Sequence, residues 1–170
     1  MTDPSRIEDL RRRVQKDPAS IAFAQLAEEY RRASRYAEAV SICQTGLDLH
    51  PSYLSARVTL GRSLLQLGQL DLAQQELELV LRSAADNLAA LRGLAEIHRK
   101  RGALDLALTY SQQALEIAPN DPELEQGVEE LEALAEQQPV PSEDRRERAL
   151  LAVLEQWLAA IHVARAHRTA

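Results

Sequence analysis

Leu26, Leu60 and Leu94 stand thirty-four residues apart, and Ala39, Ala73 and Ala107 repeat the same step. "GQLDLA" at 68–73 realigns with "GALDLA" at 102–107. A fixed internal period of this length limits the fold to an array, in which each unit buries its apolar face only by stacking on the next. Leu, Ala, Glu, Gln and Arg dominate the units and are strong helix formers. Val, Ile and Thr are sparse and aromatics make up 4% of the chain, so strands are poorly supported.

Each unit divides into two helices. In the middle unit the spacing predicts one helix over about 53–66 and a second over about 70–82. Gly68 falls between them, where a helix ends in a left-handed residue and glycine carries no Cβ penalty. Ser34 and Gly102 occupy the same turn in the neighbouring units. Gly61 lies inside a helix, where glycine costs about 0.5–1 kcal/mol relative to alanine. Its equivalents Ala27 and Ala95 are also small. These positions are expected to mark where the first helix of each unit lies close against the second, opposite Ala39, Ala73 and Ala107. None of these glycines makes a phosphate loop, because no GxxxxGK occurs and no strand precedes them.

The units share more than their spacing. The first presents Phe23, Leu26, Ala27, Tyr30, Ala39, Cys43, Gly46 and Pro51. The second presents Leu60, Gly61, Leu64, Ala73, Leu77 and Val80 at the same steps, and the third Leu91, Leu94, Ala95, His98, Ala107, Ala114 and Pro119. This pattern resembles the tetratricopeptide repeat family; Arg57, Ala85 and Ser111 depart from it at single positions. The resemblance implies an all-α, right-handed superhelix of about nine helices.

The flanks extend the array. Residues 1–19 read as an N-terminal capping helix, with Asp3 and Pro4 as a helix start and Ile7, Leu10 and Val14 as its apolar stripe. Three repeats follow at 20–53, 54–87 and 88–121. Residues 122–137 read as a solvent-facing cap, with Leu124, Val128, Leu131 and Leu134 on one face and glutamates on the other. A proline-containing linker spans 138–144. Residues 145–170 read as a C-terminal amphipathic helix, with Leu150, Leu151, Leu154, Trp157, Leu158 and Ile161 on one side.

The listless chemistry of the remaining residues narrows function. A net charge of -6 argues against a general nucleic-acid binder. Cys43 is the sole cysteine, so no intrachain disulfide or zinc motif can be written. The start has no apolar h-region, and no apolar run approaches the roughly 20 residues that span a bilayer. A cytoplasmic protein without membrane insertion is expected. His50, His98, His162 and His167 show no metal-ligand spacing, and no catalytic constellation is present. The expectation is therefore a non-enzyme with neither cofactor nor metal.

What remains is a surface. In tetratricopeptide proteins one stripe of each first helix lines a concave groove. The stripe here reads Ile21, Ala24, Glu28 and Arg31, then Ser55, Val58, Arg62 and Leu65, then Ala89, Arg92, Glu96 and Arg99. Arg32, Gln66 and Lys100 extend it. Five arginines and one lysine against two glutamates make it basic on an acidic protein. The resemblance thus implies an adaptor holding a partner peptide or helix of acidic character, with Glu28, Arg31, Arg32, Val58, Arg62, Leu65, Arg92, Glu96 and Arg99 as its groove. Chaperone-binding members of the family use a carboxylate clamp. The matching positions here are Ala24, Glu28, Thr59, Arg92 and Glu96, and only Arg92 keeps a charge of the right sign. An alternative is a structural subunit whose C-terminal helix, through Leu150, Leu154, Trp157, Leu158 and Ile161, docks into the solenoid or forms a homodimer.

Overall fold

The computed structural model describes residues 4–137. They form eight α-helices: α1 (Pro4–Lys16), α2 (Ala22–Arg32), α3 (Tyr36–Leu49), α4 (Leu54–Gln66), α5 (Leu70–Ser83), α6 (Leu88–Lys100), α7 (Leu104–Ile117) and α8 (Pro122–Gln137). The chain divides into two units, 1–135 and 136–170. All that follows concerns the first unit; the expected linker and ninth helix, and Asp3 at the N-terminus, lie outside the described residues.

The period becomes geometry at the turns. Ser34, Gly68 and Gly102 have φ of 58°, 73° and 72°. At each, two backbone bonds close the preceding helix: Gly68 N–H donates to Leu65 O at 3.1 Å and Gln69 N–H to Leu64 O at 3.0 Å. The same pair recurs from Ser34 and Arg35 to Arg31 and Tyr30, and from Gly102 and Ala103 to Arg99 and His98. These bonds satisfy carbonyls that a helix end would otherwise orphan. Serine thus takes a conformation that favours glycine, and the hairpin between α2 and α3 matches the other two.

The paired helices pack through the small residues. Ala39, Ala73 and Ala107 are completely buried, as are Leu77 and Leu94. A Cβ on Gly61 would stand 2.7 Å from the Leu77 side chain and 3.4 Å from the carbonyl of Ala73, so the helices do approach closely there. Leu77 also faces Gly93 on α6, where an added Cβ would stand 2.5 Å away. One leucine of α5 is therefore wedged between glycines of α4 and α6, the helices before and after it.

The ends are covered. Leu10 of α1 is buried in a cluster with Leu26, Tyr30 and Ala39, and Ile7 and Val14 pack against it. Leu124, Val128 and Leu131 of α8 are buried, with Leu124 against Leu91 and Ala114. Leu134, expected on the same stripe, is 45% exposed. At about 100° per residue it sits roughly 80° off the line of Leu124, so it turns away from the core.

Candidate functional site

Helices α2, α4 and α6 lie side by side. Their outward positions form two adjoining clefts. One, of about 550 Å³, is lined by Arg31, Tyr36, Arg62, Leu65, Gln66, Leu88, Ala89, Arg92 and Gly93. The other, of about 460 Å³, includes Ala24, Glu28, Arg32, Tyr53, Val58, Thr59, Arg62 and Asn87. Arg62 and Ala89 line both. A third cleft, of about 370 Å³, brings Arg92, Glu96 and Arg99 of α6 against Gly127, Glu130 and Leu134 of α8.

The expected groove residues thus come together, but most of their charge is already matched within the chain. Arg31 donates through Nε and Nη2 to the two oxygens of Glu28 at 2.8 and 2.7 Å. Arg32 donates to the same carboxylate at 3.1 Å, and the Thr59 hydroxyl at 3.3 Å. Burial pushes the Glu28 carboxyl up, but the bonds and charges of Arg31 and then Arg32 outweigh it and hold the group at about 2. Glu96 repeats the arrangement, taking Arg99 at 2.8 and 2.9 Å and Lys100 at 3.4 Å. Burial again opposes, yet Arg99 and Lys100 keep the Glu96 carboxyl below its ordinary value.

Arg92 is bonded to Asp121, with Glu123 3.6 Å away. Its Nε is buried without a hydrogen-bond partner among the described residues. Asp121 also accepts from the backbone N–H of Glu123 and Leu124 at 3.1 and 3.3 Å, so one carboxylate caps α8 and restrains Arg92.

Arg62 differs. It is exposed, and among the described residues no carboxylate pairs with it. Burial by the cleft walls lowers its pKa, the charges of Arg31 and Arg92 lower it further, and Glu28 offsets part of this. A guanidinium stays charged at working pH, so the shift chiefly records the partial desolvation of that charge. Val58 is half-buried beside it, while Leu65 is only 6% exposed and belongs mainly to the core.

The lining residues not singled out by the sequence include Tyr36, Tyr53 and Asn87. Tyr36 carried a signal, because the equivalent positions are Leu70 and Leu104. Asn87 caps α6, accepting from Ala90 N–H at 3.0 Å. Leu150, Leu154, Trp157, Leu158 and Ile161 lie outside the described residues.

The remaining reactive groups are built into the packing. Cys43 is completely buried, and burial pushes its thiol up to about 12. His98 stacks on Tyr110 at 5.4 Å, and His50 stacks on Phe23 at 5.9 Å with its Nε2 2.6 Å from Ala19 O. Among the described residues no three His, Cys, Asp or Glu side chains converge as a metal site, and no helix is long and apolar enough to cross a membrane.

Two sequence profiles, each described as tetratricopeptide repeat, match residues 30–96 and 93–121. No curated protein matches the sequence. Among solved structures, MamA from Desulfovibrio magneticus RS-1, residues 41 to the end, is similar with a TM-score of 0.69 at 18% identity, covering 94% of this chain and 84% of that one. The first TPR of Spaghetti (RPAP3), bound to an HSP90 peptide, gives 0.64 at 18% identity over 69% of this chain and 94% of that one. YrrB, a TPR protein with an unusual peptide-binding site, gives 0.64 at 21% identity, over 72% and 63%.

Proposed function

The chain belongs to the tetratricopeptide repeat family, and from that premise we propose that it is a non-enzymatic scaffold that holds an acid-bearing partner segment in the groove formed by α2, α4 and α6. The observation that carries this reading is the meeting of two clefts at Arg62, a cation without an intrachain carboxylate among the described residues. A partner carboxylate placed there would meet a charge that is partly desolvated by the cleft walls, where an ion pair is worth more than on open surface. Val58, Tyr53 and Ala89 offer apolar contact alongside. Family members of similar fold that hold peptides support the class of function. They do not support the chaperone tail as ligand, since Ala24, Glu28, Thr59 and Glu96 stand where the clamp would need cations and amides.

Affinity capture from the native cell extract tests the proposal. A partner recovered by the wild-type chain should be lost with the Arg62→Glu variant. Arg62 is exposed, so the circular-dichroism melt should be preserved. Undiminished capture would move the site off this face.

A further inference from the structure

The three helices lining the groove do not carry charge in the same way. Glu28 and Glu96 occupy equivalent places on α2 and α6, and Arg62 occupies that place on α4. One turn further on, α2 has Arg31 and Arg32 and α6 has Arg99 and Lys100, while α4 has Leu65 and Gln66. The flanking helices are therefore self-neutralised by i,i+3 and i,i+4 pairs. The middle helix inverts the pattern and contains no carboxylate at all. Arg92, the other central cation, is committed to Asp121 and Glu123.

Resting on the groove reading above, we infer that the groove takes a segment carrying one acidic side chain, read by Arg62 alone and flanked by small or apolar residues. A run of acidic residues does not fit. In an extended segment the next side chain on the same face lies about 6.6 Å away. There it would meet Glu28, which lines the same cleft and whose positive neighbours are already engaged. The walls beside Arg62 also favour uncharged neighbours: Ala24, Ala89 and Gly93 are small, and Val58 is apolar. Arg31 and Arg92 raise the positive field around Arg62 without offering a free fork of their own.

The test is a selection of short random peptides, displayed with both ends blocked, on the full chain and on its Arg62→Glu variant. The wild-type chain should enrich peptides with a single Asp or Glu among apolar residues. The variant should enrich Lys or Arg at the same register. For fluorescein-labelled, C-terminally amidated copies of the enriched peptides, anisotropy should show a loss of about tenfold or more for Arg62→Gln or for Glu→Gln in the peptide. The two changes together should cost no more than either alone, a coupling that a merely structural role would not produce. Enrichment of acidic runs, or of peptides as sensitive to Arg99→Gln as to Arg62→Gln, would overturn the single-anchor inference while leaving the groove in place. Failure of both proteins to enrich any peptide would overturn the groove reading and the inference with it.

Discussion

The first and middle repeats fill the same joint with different residues. In the first, Phe23 of α2 lies over Gly46 of α3, so closely that an added Cβ would stand 2.0 Å from the ring. In the middle repeat the equivalents are Arg57 and Val80. The valine is completely buried. The arginine turns outward instead, donating to Pro51 O at 3.0 and 2.6 Å and to Glu76 at 2.7 Å. The third repeat uses Leu91 with Ala114. Large with glycine, outward with valine and medium with alanine are three ways to fill one space. What recurs is a filled joint, as close packing requires, and not the residue type.

The sharpest way to break this comparison is to truncate each large side chain. Phe23→Ala should cost about 3–5 kcal/mol in urea melts, because a ring held by Gly46, His50 and Tyr53 leaves a cavity. Arg57→Ala should cost less, about 1.5–3 kcal/mol, the worth of hydrogen bonds to a charged group in a largely buried pair. Equal losses would mean that the two joints are not built differently. The comparison sharpens further with Phe23→Leu, Gly46→Ala, which installs the third repeat's solution in the first. That double variant should lose clearly less than the sum of its parts, and additive losses would show that the positions do not share a joint.

A smaller effect is expected where the repeats agree. Ala73→Leu should destabilise by roughly 1–3 kcal/mol, since added methylenes must push α4 from α5. Ala39→Leu and Ala107→Leu should behave alike, all three alanines being completely buried. An unchanged denaturation midpoint at any of them would remove that alanine from its interface.

The smallest effect separates the two repeats at the groove. Glu28 is held at about 2, below the 4.5 of a free glutamate. A carboxylate depressed on folding adds stability that is complete above the unfolded value and is lost as pH falls through the folded one. Acid titration of stability between about pH 4.5 and 2 should therefore be shallower in Glu28→Gln than in the wild-type chain. Arg62, on the equivalent face, contributes no such slope. Identical acid limbs would show that the network around Glu28 does not survive in solution.

Much of this architecture was legible in the sequence, for local reasons. The period, the left-handed turns at Ser34, Gly68 and Gly102, and the buried alanines follow from spacing and steric size. The ion pairs of Glu28 and Glu96 were equally readable, because they lie three or four residues apart on one helix. The attachment of Arg92 to Asp121 was not, since it joins residues 29 apart in sequence and depends on how α6 meets the start of α8. The same limit hid the reason for Gly46, whose constraint is a ring on another helix. It also hid that Leu65, which lines the larger cleft, is at the same time a buried core residue.

Leu77 closes the account of the groove from behind. It touches no cleft, yet its two methyls press against Gly61 and Gly93, the immediate neighbours in sequence of Arg62 and Arg92. A buried side chain of the second layer thus acts as a spacer that sets the distance between α4 and α6, and with it the gauge of the slot that Arg62 overlooks. Ligand choice in such an array can drift through changes at a position that no ligand ever meets.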